Sequence, residues 1–280
     1  MMSSATETSF RKVLNSHGYA FQFGLASELE YRFLAKGEPW RVIGVEVPVE
    51  VQGYATRIDF VLANGPRNVW LAAECKRANP ALSNWCFAAS PNLVGGSRSD
   101  LIGERLRFIG AGLHSVQCCG GTIGSMPNIY DVAIEVRGSE KGDEHGIGRG
   151  AIEESMTQVV RGMNGLIRLA EKNRSLVVGS SPQTVSGIVF TTAQIWTSNV
   201  ALDRTDLATG VVDFEGSEFV ARPWVAYRYR ATPNLRHEFP CGEGGINLQE
   251  VLDRDFVRTI FVVGPSGVSS FLEWAATAIG

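Results

Sequence analysis

The chain has 280 residues, of which 44% are hydrophobic and 20% charged, as expected for a globular protein with one large domain or two small ones. A net charge of −3 and a pI near 5.9 do not indicate a general nucleic-acid binder, so contact with DNA or RNA would require a local basic surface. The five cysteines and four histidines lack zinc-site spacing, and no signal peptide or membrane-length apolar run is visible, so we expect a cytoplasmic protein without a membrane span.

The first predicted elements are a helical region over residues 8–35, interrupted at Gly18 and Gly24, and a strand over 40–51. Apolar side chains recur every four residues along the second half of the helical region: Phe21, Leu25, Leu29 and Phe33. Such spacing places one face of the helix against a core. Gly53 then opens a turn to the next strand.

Two apolar runs, 57–62 and 70–77, predict a β-hairpin, because turn-forming residues 64–68 separate them. Side chains alternate between faces along a strand, so Glu74 and Lys76 share one face. The preceding residues are almost continuously apolar, which indicates a strand that is covered on both sides.

The register of this hairpin determines which charges meet. If the turn is centred on residues 66–67, Ala63 lies opposite Trp70, and Asp59 lies opposite Glu74. Two carboxylates that close are unfavourable unless a cation neutralises them. A hard divalent cation with oxygen ligands does this better than one lysine. The alternative is a solvated Glu-x-Lys pair on an exposed strand face.

The remainder of the chain predicts alternating strands and helices with one irregular region. The predicted segments are an irregular stretch over 80–126 with one helix at about 99–110, a strand over 129–136, a glycine-rich loop over 138–150, a helix over 152–172, a strand over 187–197, two or three strands between 210 and 230, a strand over 259–263, and a helix over 268–277.

Asp59, a gap of fourteen residues and then Glu74-x-Lys76 at the end of an apolar strand resemble the motif of the PD-(D/E)XK nuclease superfamily, with Ile58 where the family name has proline. The order of predicted elements also resembles the αβββαβ core of these restriction-endonuclease-like proteins. The resemblance implies an α/β fold with a mixed central sheet flanked by helices. It covers about 18–78 and 152–197 of a single domain. Residues 80–150 would be an insertion, and 200–280 would be a C-terminal elaboration with extra strands.

The resemblance also implies a metal site and a set of roles. Asp59, Glu74 and the backbone carbonyl of Cys75 would hold Mg²⁺, for which Mn²⁺ would substitute. Lys76 would orient the attacking water.

The family further implies two helical contributions to the site. Its first helix commonly supplies an acid for a second metal or its water, and here the candidates are Glu30 and Glu28. Gln158 stands where some members place a glutamine, although Gly162 replaces the tyrosine that follows it in the family. The alternative for each of these residues is a polar side chain on a helix surface.

A basic and aromatic strand is the candidate nucleic-acid surface. Strand alternation would place Arg222, Trp224, Arg228 and Arg230 on one face, where arginines could follow phosphates and the indole could stack on a base. The alternative is an edge strand with a solvated basic face.

The expected function is therefore that of a Mg²⁺-dependent DNA endonuclease. The resemblance suggests a restriction or anti-phage role with a homodimer or a defence-system partner protein. Two alternatives stay open: a catalytically inactive nuclease-like module for DNA binding or assembly, and a nuclease that acts on RNA.

Overall fold

The computed structural model describes residues 4–16, 18–79, 83–90, 101–109, 112–120, 129–136, 150–172, 184–236, 252 and 255–279. The helices are α1 (Ser4–Ser16), α2 (Tyr19–Lys36), α3 (Gly150–Lys172) and α4 (Val268–Ala278). The strands are β1 (Trp40–Val51), β2 (Tyr54–Asn64), β3 (Val69–Lys76), β4 (Asn84–Ala88), β5 (Leu101–Ile109), β6 (Gly112–Gly120), β7 (Ile129–Tyr130), β8 (Val132–Val136), β9 (Thr184–Thr191), β10 (Gln194–Ser198), β11 (Phe219–Arg222), β12 (Trp224–Arg230) and β13 (Val257–Val263).

The fold is mixed α/β, with a central mixed sheet flanked by helices. The main path of this sheet runs β1-β2-β3-β9-β13-β12-β7, and β5 and β6 pair beside it at the start of β9. Strands β1, β2 and β3 form an antiparallel meander, whereas β9 lies parallel to β3 and β13 lies parallel to β9. A second sheet has the order β11-β10-β4-β8. None of the helices in the described part of the chain has the length and apolar character needed to cross a membrane.

Each face of the central sheet carries its own hydrophobic core. Helix α3 packs on one face, where the core includes Val61, Ala72, Met156, Val160 and Val189. Helices α2 and α4 cover the other face, where the core includes Leu29, Phe60, Leu71, Phe190 and Phe271. Strands β3 and β9 are therefore covered on both sides, which explains their almost continuous apolar sequence.

The close approach of α3 to β9 depends on Gly187. A Cβ atom there would clash with Cγ1 of Val159 and lie 2.8 Å from the sulfur of Met163. We expect Gly187→Ala to lower the free energy of unfolding by about 1–3 kcal/mol, measured by chemical denaturation. Gly24→Ala is the control, because nothing lies within 4 Å of its Cβ position in α2, and alanine there should stabilise by about 0.5–1 kcal/mol. Unchanged stability of Gly187→Ala would mean that this contact is looser than described.

Several predicted elements are wrong. The stretch over 80–126 that was expected to be irregular contains the strands β4, β5 and β6, and the single strand expected over 129–136 divides into β7 and β8, which belong to different sheets. The helix expected at about 99–110 is the strand β5, whose Glu104 and Arg105 pair with β9. Glu104 also forms an ion pair of 2.6 Å with Arg258 of β13, and both side chains are 2% exposed. These long-range partners override the local pattern. The single strand expected over 187–197 divides at Thr192 into β9 and β10, which belong to different sheets.

Candidate active site

The β2–β3 hairpin has the predicted register. Ala63 pairs with Trp70, and the ladder continues to Phe60 and Ala73, so Asp59 and Glu74 are the next residues across. The register prediction is therefore confirmed. Beyond Phe60 and Ala73 a side chain takes the place of a backbone acceptor. Oδ2 of Asp59 accepts a hydrogen bond of 2.6 Å from the backbone N–H of Cys75.

Strand alternation is broken at Asp59. Ile58 belongs to the core under α3, whereas Phe60, two residues later, belongs to the core on the opposite face. Across the β1–β2 ladder, Glu46 lies in register with Asp59 and has a φ of 51°, in the left-handed region that residues other than glycine seldom occupy. The twisted segment brings a second acid to Asp59.

Burial strongly perturbs both hairpin carboxyls. Glu74 is only 8% exposed, and its burial, together with the charge of Asp59, raises its pKa to about 9. Burial also raises the pKa of Asp59 to about 6, although the Cys75 N–H opposes this shift. Without a cation, Glu74 is therefore protonated at pH 7 while Asp59 is mostly ionised.

The Glu74 carboxyl receives no hydrogen bond from the described residues. A buried acid without such a partner is unfavourable, and Asp59, Glu74 and the Cys75 carbonyl offer hard oxygen atoms that suit Mg²⁺. Within the described ranges, however, no group of three or more His, Cys, Asp or Glu side chains could hold a metal ion. The donors that the described residues offer at this point are thus the two carboxyls and the Cys75 carbonyl.

Lys76 lies at the end of β3, two residues beyond Glu74, and its side chain is 21% exposed. Its Nζ donates a hydrogen bond of 2.5 Å to Oε2 of Glu154 in the first turns of α3. Its charge also lowers the pKa of Glu74 and of Asp59. The ammonium is therefore near both carboxyls and does not point into the hydrophobic interior.

Gln158 lies on the stretch of α3 that faces the end of β3. The contact between Gly162 and Ala72 lies one helical turn after Gln158, and the pair of Glu154 with Lys76 lies one turn before it. Its Oε1 is buried and has no hydrogen-bond partner among the described residues. The helix thus brings Gln158 towards the level of Glu74, which lies between Ala72 and Lys76 on the same strand face.

The structure does not bring Glu30 or Glu28 to this pair. Oε2 of Glu30 accepts a hydrogen bond of 3.2 Å from the backbone N–H of Val42, and Glu28 pairs with Arg32 one turn along α2. Val42 aligns with a β2 position three residues from Asp59, which corresponds to about 10 Å along a strand. The expectation failed because the start of α2, rather than its second half, approaches the hairpin end.

Gln22, near the start of α2, occupies the place where an acid was expected. It is 3% exposed, and its Nε2 donates hydrogen bonds of 2.5 Å to Oε1 of Glu46 and 3.1 Å to the backbone oxygen of Asp59. Sequence reasoning missed both Gln22 and Glu46. The available signal was a polar residue on the buried face of α2, since Gln22 is in phase with Ala26 and Leu29.

The predicted continuous basic stripe is wrong. Arg222 ends β11 in the second sheet, whereas Trp224 begins β12 in the central sheet, because Pro223 lies between them. Trp224 packs against α4, with its ring centroid 4.9 Å from that of Trp274. The partly buried indole thus packs against the core, which does not agree with the expected stacking platform.

Arg228 and Arg230 do share the alternating face of β12 with Trp224, and Arg230 is exposed. A role for these two arginines in binding nucleic acid stays a prediction.

The site is consequently a hairpin end with the buried carboxyl of Glu74, the partly buried carboxyl of Asp59, a lysine, and a third acid held by a helix glutamine. The register of the hairpin is the one that the sequence predicted. The additional acid, however, comes from β1 and not from the first helix. Comparison of the chain with protein-family models, with curated proteins and with solved structures finds no match.

Proposed function

We propose that this chain is a Mg²⁺-dependent phosphodiesterase that acts on DNA, most simply an endonuclease with a restriction-endonuclease-like αβββαβ core. The observation that carries the proposal is the Glu74 carboxyl, which is buried without a hydrogen-bond partner among the described residues, next to Asp59 in register and two residues from Lys76. Strongly perturbed carboxyls of this kind concentrate at functional sites.

The order of elements supports the same proposal. The core begins with helix α2, which is followed by the antiparallel meander β1–β3. Helix α3 comes next, and then β9, which lies parallel to β3. In that arrangement β3 is a buried central strand, and the charged residues Glu74 and Lys76 lie at its C-terminal end. A restriction or anti-phage role, with a homodimer or a partner protein, extends this proposal.

Each side chain would have a distinct task. Asp59, Glu74 and the Cys75 carbonyl would hold the ion, which when bound polarises a phosphate and lowers the pKa of its water. Lys76 would orient the attacking water and stabilise the charge that develops on the phosphorane oxygens. Glu154 holds the Lys76 ammonium in place through its hydrogen bond. Hydrolysis would then proceed by direct in-line attack without a covalent enzyme adduct.

One observation favours a second candidate, a nuclease-like module that binds DNA or assembles with a partner without cleaving. No group of three or more metal-ligating side chains is present in the described part of the chain. An inactive descendant of a nuclease would have such an incomplete set. RNA cleavage is a third outcome of the same experiment.

The test is to incubate the purified protein with supercoiled plasmid, single-stranded DNA and RNA, each with Mg²⁺ and with EDTA. We expect nicking or linearisation of the plasmid that depends on Mg²⁺. The Asp59→Asn variant is the control for contaminating nucleases, and it should not cleave the plasmid. Cleavage of RNA alone would mean that the substrate of the enzyme is RNA and not DNA. Absence of cleavage, with DNA binding retained, would favour the inactive module.

A further inference from the structure

Glu46 and Gln22 form a part of the site that the motif does not contain. Gln22 is a buried amide on the core-facing side of α2, where an apolar residue would pack without needing partners. Its two hydrogen bonds join the Glu46 carboxylate on β1 to the Asp59 backbone on β2. The amide therefore fixes the position of one acid relative to another.

Glu46 is held towards Asp59 at a cost to its backbone. A φ of 51° for a glutamate is strained, and such strain persists where the surrounding structure determines it and often marks functional sites. Its other carboxylate oxygen is only loosely compensated, since Arg57 Nη1 is 3.5 Å away on a side chain that is 70% exposed.

Four acids meet at this end of the hairpin, Asp59, Glu74, Glu46 and Glu154, and in the described residues their ion pairs are those of Lys76 with Glu154 and of Arg57 with Glu46. Glu46 lies in register with Asp59, Asp59 is the residue across from Glu74, and the Lys76 ammonium is paired with Glu154. Two further observations favour a ligand-binding role for these acids. The Glu74 carboxyl is 8% exposed without a hydrogen bond from the described residues, and the buried Oε1 of Gln158 is likewise without a partner.

The position of Glu46 suits contact through water rather than direct ligation. No three such side chains in the described ranges could themselves hold a metal, and Mg²⁺ usually keeps several of its waters. The Glu46 side chain is 29% exposed, so water can reach its carboxylate. We propose that Glu46, positioned by Gln22, binds the water shell of the Mg²⁺ that Asp59 and Glu74 hold. This inference rests on the proposed metal site.

The experiment is Mg²⁺ titration by calorimetry, together with thermal melting in EDTA. We expect Glu46→Gln and Gln22→Met to weaken Mg²⁺ binding by about tenfold or more, as removal of outer-shell partners does. Glu46→Gln should melt in EDTA at the wild-type temperature or above, because it removes a like charge. Glu50→Gln is the matched control, since Glu50 is an exposed acid four residues along the same strand, and it should bind Mg²⁺ as wild type does.

The outcomes separate this inference from the function on which it rests. Wild-type affinity in Glu46→Gln, with binding lost in Asp59→Asn, would overturn the role of Glu46 and leave the metal site in place. A lower melting temperature of Glu46→Gln in EDTA would also overturn it, because that result indicates a structural role. Absence of Mg²⁺ binding by wild type would overturn both.

Discussion

Replacing Asp59 with asparagine should reduce the rate of DNA cleavage by about three orders of magnitude or more, because several kcal/mol of charge stabilisation are lost and each 1.4 kcal/mol is tenfold in rate. The fold should survive, since an asparagine oxygen can still accept the hydrogen bond from the Cys75 N–H. Lys76→Met should have a comparable effect on the rate, as it removes the only basic group on the Glu74 face of β3. Single-turnover cleavage of plasmid DNA measures both.

The controls for this result follow from the structure. Lys36→Met, at the end of α2, removes a lysine outside the site and should cleave at the wild-type rate. Lys76→Met should also keep the wild-type melting temperature within a few degrees, because the Glu154 side chain that it leaves is 58% exposed and remains hydrated. If Asp59→Asn or Lys76→Met cleaves as fast as wild type, the site is misassigned.

The hairpin could be predicted because its information is local. Turn residues between two apolar runs determine the register, and the register determines that Asp59 faces Glu74. The helix over 152–172 and the strand–turn–helix at the end of the chain are likewise specified by apolar spacing, and they appear as α3, β13 and α4. These are the segments in which periodicity and turn chemistry agree.

What could not be predicted depends on contacts between distant segments. Leu101–Ile109 is a strand because β6 and β9 supply pairing partners and Arg258 supplies a countercharge for Glu104. The stripe of arginines was divided because Pro223 marks a change of sheet, which strand alternation cannot reveal.

The acid from the first helix was misplaced for a similar reason. Periodicity gives the buried face of α2 but not the point along the helix that meets the hairpin. That point lies at Gly18 and Gln22, since a Cβ atom at Gly18 would be 3.8 Å from the Cys75 oxygen. A glutamine on a buried helix face was the sequence signal that pointed to it.

Glu74 should make the stability of the metal-free protein depend on pH. Its pKa rises from an ordinary value near 4.5 to about 9 in the folded state, so between these values the folded chain retains a proton that the unfolded chain has lost. The contribution of Glu74 to the free energy of unfolding is therefore fully present below pH 4.5, and it is lost as the pH rises through 9. Glu74→Gln, which cannot ionise, should melt several degrees above wild type at pH 9 in EDTA, with little difference at pH 5.

The same proton must leave before Glu74 can bind a cation. We expect Mg²⁺ affinity to increase with pH between about 7 and 9, by up to tenfold per unit, because one proton is released for each ion bound. Calorimetry in buffers of different ionisation enthalpy counts that proton directly. Glu74→Gln should bind Mg²⁺ weakly and without this dependence. Affinity that is independent of pH in wild type, with no proton released, would mean that Glu74 is not a ligand and that its buried carboxyl serves the fold alone.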